Sequence, residues 1–271
     1  MLYALAERWL RRTSTDIFKK FDAIEGKKTD TNNHGAVSTD FIGANYAWPE
    51  AGYEMRETIF QQHVAYQQGL HWFMANDPAV PVKVRDRYAE WGLARDEFEE
   101  TGNWPHQLYI REARRMLSDY VITEHDCRSE RKCEDPVGMG AYQMDSHNCR
   151  RCVRGEAVVN EGDVQFPLSR PYPISRRAIM PRREESENLL VPVCVSASHI
   201  AFGSVRMEPV FMILGESAAI AASLALDNRC AVQDVPYNTL KVELIRAGQV
   251  LECETSNRGD GNPHTLVEPH H

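Results

Sequence analysis

The sequence predicts a mixed α/β fold, and three observations lead to that prediction. Apolar residues recur at helical spacing through much of residues 1–118. Short runs typical of strands follow within residues 119–187. The segment Asn188–Leu226 then has the pattern of a buried strand, a polar loop and a long helix. We therefore expect a helical and β-sheet region, a strand–helix region and a polar, disordered tail, at residues 1–187, 188–251 and 252–271.

Helical patterns occupy most of the first region. Apolar positions fit one or two amphipathic helices within residues 2–24 and a longer helix over Glu54–Met74. A shorter helix is predicted over residues 81–92, and another over residues 106–119, where Pro105 suits the start of a helix.

A long polar loop, Gly26–Gly52, separates the first two helical segments. A loop of that length inside a compact domain is either disordered or functional. Its aromatic residues Phe41, Tyr46 and Trp48 favour an ordered, functional loop. The loop also carries a cluster of polar groups that could cap a substrate, namely Asp30, Asn32, Asn33 and His34.

The remaining elements are shorter. Four runs are typical of strands, at Tyr120–Thr123, Gly138–Met144, Val164–Phe166 and Tyr172–Met180. A last helix is predicted to begin at Pro236 and to end at Gly248.

The chain is organised around Asn188–Leu226. Asn188–Val195 is a short run rich in Val and Leu, as in an internal strand. Residues 196–206 form a polar loop, and a helix rich in Ala and Ser follows from Pro209 to Leu226. A strand that leads through a polar loop to a helix N-terminus can hold a phosphate or the polar edge of a cofactor. The same pattern fits an ordinary helix packed on a sheet, so both interpretations stay open.

Composition excludes several classes of protein. The net charge of −8 argues against nucleic acid as the main partner. We find no apolar run as long as a membrane span and no secretory signal at the start of the sequence. Seven cysteines are an odd number in a chain too large to need disulfides, which favours a reducing compartment such as the cytoplasm.

Two histidines are candidates for catalysis. Asp145 and His147 lie two residues apart, so on a strand both side chains point to one face, where a carboxylate can orient an imidazole. The same pair also fits a polar surface loop. His199 follows Ser196 and Ser198, but the chain has no G-x-S-x-G motif and no evident acidic third member. We therefore prefer ligand binding to nucleophilic catalysis for these three residues.

The charged and sulfur-containing clusters are less specific. Arg111, Arg114 and Arg115 are predicted to spread over a solvated helix surface. Four cysteines could bind zinc or an iron–sulfur cluster as thiolates, but their spacing fits neither a common zinc ribbon nor a ferredoxin. These weak candidates for a metal site are Cys127, Cys133, Cys149 and Cys152.

Three motifs together resemble the FAD-dependent oxidoreductases of the glutathione-reductase-like flavoprotein superfamily, which includes relatives of the flavin-containing component of heterodisulfide reductase. Tyr109–Met116 is similar to the family's R-E-[SA]-R-R-[IM], and Tyr142–His147 is similar to its Y-P-[IL]-D-x-H. The segment from Asn188 is similar to N-L-L-V-A-G-R-x-[IL]-S-A-T-H-x-A-x-G-S-[IV]-R-x-x-P followed by G-Q-A-A-G-x-A-A. The resemblance covers about Trp104–Leu251.

The resemblance implies that hydride passes between an unknown substrate and FAD. It places the substrate-side region in residues 1–187 and the C-terminal part of the FAD-binding domain in residues 188–251. Asp145 and His147 would contact the substrate or transfer a proton, with His199 and His34 as further acid/base candidates. The implied flavin neighbours lie at the start of the long helix: Ser196, Ala197, Ser198, His199, Arg206, Met207, Glu208 and Pro209.

The sequence also departs from the family pattern. Val193-Cys194 replaces the family's Gly-Arg, and Glu216 and Ala219 replace the Gln and second Gly of G-Q-A-A-G. The G-x-G-x-x-G motif, which grips the adenosine and pyrophosphate of FAD, does not occur in these 271 residues. We therefore expect a C-terminal portion of a family member that binds FAD weakly or not at all when isolated. It could be a gene fragment, a shortened gene model or one half of a split protein, and in the last case a separate chain would supply the missing unit. The 4Fe-4S cluster of the relatives cannot be mapped onto the cysteines.

Two other hypotheses stay open. The chain could be a non-catalytic fragment or interaction module that needs a partner chain to complete its sheet. It could also be a carbohydrate-active, lyase-like protein in which the Tyr- and Trp-rich loop stacks on a sugar. The expected ligand is accordingly a small-molecule or sugar-like substrate.

Overall fold

A computed structural model describes residues 21–31, 38–155 and 157–253. The helices are α1 (Tyr53–Asn76), α2 (Val82–Tyr88), α3 (Glu124–Cys127), α4 (His199–Val205), α5 (Glu208–Asn228) and α6 (Tyr237–Arg246). The strands are β1 (Asp22–Ile24), β2 (Lys28–Asp30), β3 (Pro136–Gly140), β4 (Met144–Ser146), β5 (Arg150–Arg154), β6 (Ala157–Glu161), β7 (Val164–Phe166) and β8 (Tyr172–Ser175). Short 3₁₀ turns occupy Glu25–Lys27, Glu99–Thr101, Arg176–Ile179 and Val232–Asp234. This combination of helices and strands confirms the mixed α/β class.

The described residues fall into two compact units. Unit 1 comprises those within residues 1–115 and 143–166, and unit 2 comprises those within residues 116–142 and 167–271.

The core of unit 1 forms between α1 and α2. Leu70, Phe73 and Met74 of α1 pack with Val80 and with Tyr88 of α2. Both helices were predicted, and the structure confirms α1 and places α2 within the predicted residues 81–92, ending at Tyr88.

The strands of unit 1 form antiparallel pairs. β1 pairs with β2, β4 with β7, and β5 with β6. The sequence predicted β7 but neither β5 nor β6. β5 contains three arginines and its residues are exposed or half-buried, so it lacks the apolar alternation that marks a strand.

Unit 2 is built on the antiparallel pair β3–β8, which α5 covers. Two glycines in β3 allow close packing, since a Cβ at Gly138 would clash with Ile213 of α5 and one at Gly140 would lie 2.6 Å from the ring of Tyr172 in β8. Ser217 of α5 donates a hydrogen bond to the Val137 carbonyl at 2.5 Å. The fully buried side chains of the unit include Ile122, Val137, Tyr172, Ile174, Ile179, Val195, Val205, Leu214, Leu240 and Leu244.

The long helix α5 runs unbroken through Gly215, as predicted, and α6 confirms the last predicted helix. Among the described helices, α5 alone is long and apolar enough by length and composition to cross a membrane. No run of that kind was evident from the sequence alone. One side of α5 is buried within unit 2, as in the core helix of a globular domain, through Val210, Leu214, Ser217, Ala218, Ala221 and Ala225.

The helix predicted over residues 106–119 is wrong. The backbone there is irregular or extended, and it bonds to a distant segment rather than to itself. The Met116 N–H donates to the Cys194 carbonyl at 2.9 Å, and the Ile122 N–H donates to the Ser196 carbonyl at 3.0 Å. These tertiary hydrogen bonds outweigh the local helical propensity.

The strand predicted over Asn188–Val195 is also wrong. Its Val191 N–H donates to the Ile179 carbonyl at 2.8 Å, beside a 3₁₀ turn that offers no continuous ladder. Leu189 and Val193 are half-exposed, so the run is not the buried strand that its composition suggested. The strand predicted over Tyr120–Thr123 is likewise reduced to an isolated parallel bridge between Ile122 and Ala197.

Several other predictions need correction. The polar loop predicted over residues 196–206 contains α4, which the Ser198 side chain caps by accepting a hydrogen bond from the Ala201 N–H at 3.3 Å. The strand predicted over Gly138–Met144 is split between β3 and β4, and the one over Tyr172–Met180 ends at Ser175. Most of residues 2–24, where one or two helices were predicted, lies outside the described residues. Its last three residues, 22–24, form β1. Most of the predicted tail also lies outside the described residues.

Candidate functional site

The candidate site lies in unit 1, where β4 and β7 pair. Asp145 of β4 is opposite Gln165 of β7 and accepts a hydrogen bond at Oδ1 from the Gln165 side chain. His147 lies just after β4, and its Nε2 is 4.0 Å from Asp145 Oδ2. Because residues two apart on a strand share a face, β4 sets the carboxylate and the imidazole side by side.

A second carboxylate reaches His147 from the loop before α1. Asp40 Oδ2 lies 2.8 Å from His147 Nδ1. The imidazole therefore stands between two aspartates, Asp40 at Nδ1 and Asp145 on the Nε2 side. Asp145 is buried, whereas the side chains of His147 and Asp40 keep part of their surface in solvent.

The Nε2 atom of His147 also contacts Arg111. One guanidinium nitrogen of Arg111, Nη1, is in hydrogen-bond contact with Nε2, and the guanidinium lies over the ring of Tyr109, 5.2 Å from its centroid. Because an arginine can only donate, Nε2 must be the acceptor. Nδ1 therefore carries the ring proton and donates it to Asp40. The contacts hold a neutral imidazole in the Nδ1–H tautomer.

The loop that carries Asp40 is fixed by α1. The Asp40 N–H donates to Ser38 Oγ at 3.0 Å, and Tyr66 of α1 donates from its hydroxyl to the Ser38 carbonyl at 2.5 Å. Phe41 stacks on the Tyr66 ring, with centroids 4.3 Å apart and planes at 6°. These contacts agree with the expectation that the aromatic residues order this loop.

Two members of the cluster were not identified from the sequence. Asp40 lies in the loop predicted to be functional, but nothing in the pattern distinguished it from the other polar residues there. Arg111 was assigned to a helix surface, yet it contacts His147, while Arg114 pairs with Glu50 at 2.8 Å. Its position in the R-E-A-R-R motif is the one signal that could have identified it.

The residues implied as flavin neighbours lie in unit 2, around α4 and the start of α5. Ser196 and Arg206 are buried, and Ser196 Oγ accepts a hydrogen bond from the Ser118 N–H at 3.3 Å. The residues that keep exposed or half-exposed surface are Ser198, His199, Met207, Glu208 and Pro209, and Ala197 is buried.

These residues fit an FAD molecule in part. The side chains of His199, Glu208 and Pro209 are exposed and therefore accessible to a ligand. The first turn of α5 offers little to a phosphate, because Pro209 has no N–H and the Val210 N–H donates to the Met207 carbonyl at 2.9 Å. The described strands form antiparallel pairs and contain no parallel β–α–β unit that could hold a pyrophosphate.

Two of the four acid/base candidates are neighbours within one unit. Asp145 and His147 come together in unit 1, and His199 lies exposed as the first residue of α4 in unit 2. His34 lies outside the described residues.

The proposed cysteine site finds no support in the structure. Cys127 and Cys133 belong to unit 2, and Cys149 and Cys152 belong to unit 1. Burial raises the pKa values of Cys127 and Cys133 to about 11, which disfavours the thiolates that a metal needs. Within the described residues, no group of three or more His, Cys, Asp or Glu side chains could hold a metal ion. The suggested 4Fe-4S cluster is therefore not supported.

Comparison with known proteins gives one match. A sequence profile described as FAD dependent oxidoreductase matches residues 3–244, which is most of the chain. No curated protein and no solved structure gives a significant match. The profile includes the Asp40, Arg111, Asp145 and His147 cluster as well as α4 and α5. The chain therefore belongs to the FAD dependent oxidoreductase family.

Proposed function

We propose that this chain acts in a flavin-dependent oxidation or reduction in which His147 transfers the substrate's proton. The observation that supports the proposal is the placement of His147, whose Nδ1 is 2.8 Å from Asp40 Oδ2 while Nε2 remains an acceptor. A neutral imidazole with one nitrogen held by a carboxylate is a common form of general base.

FAD, when bound, supplies the two-electron acceptor or donor for such a reaction. Loss of hydride from a carbon that bears O–H or N–H is easier when that proton leaves as well. His147 Nε2 would accept the proton. Asp40 would then stabilise the imidazolium through Nδ1–H, and Asp145 Oδ2, 4.0 Å away, would face the newly protonated Nε2. In a reduction, the same groups would deliver the proton.

The flavin contacts are part of the same proposal. We assign them to the exposed or half-exposed residues His199, Met207, Glu208 and Pro209, which the resemblance implies and which the fold leaves accessible. The finer kinship with glutathione-reductase-like flavoproteins and with the flavin-containing component of heterodisulfide reductase rests on the quoted sequence motifs. So does the proposal that a separate chain supplies the pyrophosphate-binding unit.

Anaerobic bleaching of oxidised flavin tests the proposal. The full chain is mixed with excess FAD and with a panel of hydroxy acids, amino acids and sugars, and the loss of oxidised flavin absorbance is followed. We expect at least one compound to bleach the flavin. His147→Asn should then slow bleaching by roughly 10²–10⁴-fold, the usual contribution of a general base.

The matched control is His125→Asn, since His125 is exposed, pairs with Glu130 at 2.8 Å and is assigned no role in the reaction. It should bleach flavin at the wild-type rate. Equal rates for the wild type and His147→Asn, or no bleaching by any compound when FAD is bound, would overturn the proposal.

A further inference from the structure

Arg111 has no carboxylate partner among the described residues. It forms no ion pair there, although Asp40 and Asp145 lie on either side of the histidine that it contacts. Its contacts are with His147 Nε2 and with the face of Tyr109. It is half-buried, and the Tyr109 ring beside it is 63% exposed, so the guanidinium lies near solvent.

The contact with Arg111 also blocks the proposed base. The Nε2 lone pair of His147 cannot accept a substrate proton while it accepts a hydrogen bond from Nη1. The described structure is therefore a resting arrangement, and the substrate must offer Arg111 a better partner than imidazole. A carboxylate is that partner, because its two oxygens match the guanidinium fork and the hydrogen bonds are charge-assisted.

We infer that Arg111 binds the carboxylate of a small 2-hydroxy acid and in doing so releases His147 Nε2 to the adjacent hydroxyl. This inference rests on the proposed function of His147. The hydroxyl is assigned to C2 because Arg111 and His147 are neighbours, so the carbon next to a carboxylate held by Arg111 is the one nearest the imidazole. The aspartates beside His147 would repel a dianionic phosphate more strongly than a carboxylate monoanion.

The reaction balances with FAD as the oxidant. FAD, when bound, would supply the two-electron acceptor for the hydride that leaves as the C2–H bond breaks. The O–H proton moves to His147 Nε2, and the C2–O bond becomes a carbonyl. The 2-hydroxy acid is oxidised to a 2-oxo acid and FAD is reduced by two electrons.

Binding can be tested without FAD, by NMR of the imidazole nitrogens of His147 in the full chain. We expect lactate to shift the Nε2 resonance saturably, whereas lactamide, which lacks the carboxylate, and inorganic phosphate leave it in place. Arg111→Gln should weaken the lactate effect by at least about tenfold, the loss of a charge-assisted hydrogen-bond partner. Arg111→Lys keeps the charge but not the planar fork, so its response to lactate should lie between those of the wild type and Arg111→Gln.

Arg114→Gln is the matched control, because Arg114 pairs with the exposed Glu50 and should leave the lactate effect unchanged. No shift with lactate, an equal shift with lactamide, or an unchanged response in Arg111→Gln would overturn the inference. These failures differ from failure of the proposed function. If lactate binds through Arg111 while His147→Asn still bleaches flavin at the wild-type rate, the carboxylate site is supported and the role of His147 as the base is contradicted.

Discussion

The two ring nitrogens of His147 face opposite kinds of group. Nδ1 faces the Asp40 carboxylate at 2.8 Å, and Nε2 faces the Arg111 guanidinium. A carboxylate can only accept and a guanidinium can only donate, so one tautomer satisfies both. Histidine in water favours the other tautomer, with the proton on Nε2. The surrounding side chains therefore set the proton position that a base needs.

A second histidine, His71 of α1, has a structural role instead. Its Nδ1 forms a hydrogen bond with the Tyr88 hydroxyl at 2.8 Å. Burial lowers the pKa of His71 from its ordinary value of 6.5 and raises the pKa of Tyr88 to about 12. Burial therefore favours the neutral form of the ring in the fold.

We predict that His71 makes the protein less stable in acid. Below pH 6.5 the unfolded chain binds a proton at His71 that the folded chain does not, so the free energy of unfolding falls as the pH drops towards the lowered folded pKa. Urea unfolding on either side of pH 6.5 measures this loss. His71→Gln should show a smaller decline, and His106→Gln, at an exposed position, should decline like the wild type. An unchanged decline in His71→Gln would contradict the assignment.

At the scale of elements, the glycines of β3 set how closely unit 2 packs. Gly140 leaves room for the fully buried ring of Tyr172, whose hydroxyl donates to Ser204 Oγ at 2.8 Å. Ser204 lies in α4, so this contact joins the strand pair to the helix that carries the proposed flavin neighbours.

Gly140→Ala should destabilise the protein by about 1–3 kcal/mol, because the new Cβ would lie 2.6 Å from the buried Tyr172 ring. Gly215→Ala in α5 is the matched control, since no atom lies within 4 Å of its added Cβ. That change should stabilise the protein by about 0.5–1 kcal/mol through helix propensity. Urea unfolding followed by circular dichroism measures both changes. Equal stability of the two variants would show that β3 is not packed as described.

The elements also show where sequence patterns were sufficient. α1, α5 and α6 follow from the spacing of their apolar residues and from the glycines and prolines near their ends. Residues 106–119 have a helical pattern but form no helix, and the N–H groups of Met116 and Ser118 bond to Cys194 and Ser196 instead. Asn188–Val195 has a strand composition but bonds to a 3₁₀ turn. Both errors arise from partners distant in sequence, which periodicity does not reveal.

At the scale of the whole molecule, contacts between residues distant in sequence also limit how much of the candidate site the sequence can predict. The spacing of Asp145 and His147 could be predicted because both lie at one strand end. Asp40 and Arg111 come from segments 107 and 36 residues away from His147, so no local pattern links them to it. The residues implied as flavin neighbours came from family resemblance, and the fold shows which of them are accessible.

The affinity for flavin is a prediction about the whole chain. The first turn of α5 has few N–H groups to offer, and the 271 residues contain no G-x-G-x-x-G motif. We therefore expect FAD to bind more weakly than micromolar and no more tightly than riboflavin, which lacks the pyrophosphate and adenosine. Titration of the full chain with each flavin, followed by fluorescence, measures this. Sub-micromolar binding of FAD, but not of riboflavin, would show that the chain binds the pyrophosphate.

The most direct test of the central claim is the tautomer of His147, measured by NMR of its two imidazole nitrogens at a pH where the ring is neutral. We predict a protonated Nδ1 and an unprotonated Nε2. Asp40→Asn should reduce that preference, and Asp77→Asn, whose carboxylate accepts from the Ala79 N–H at 2.8 Å away from the site, should keep it. A proton on Nε2 in the wild-type protein would contradict the assignment of His147 as the base.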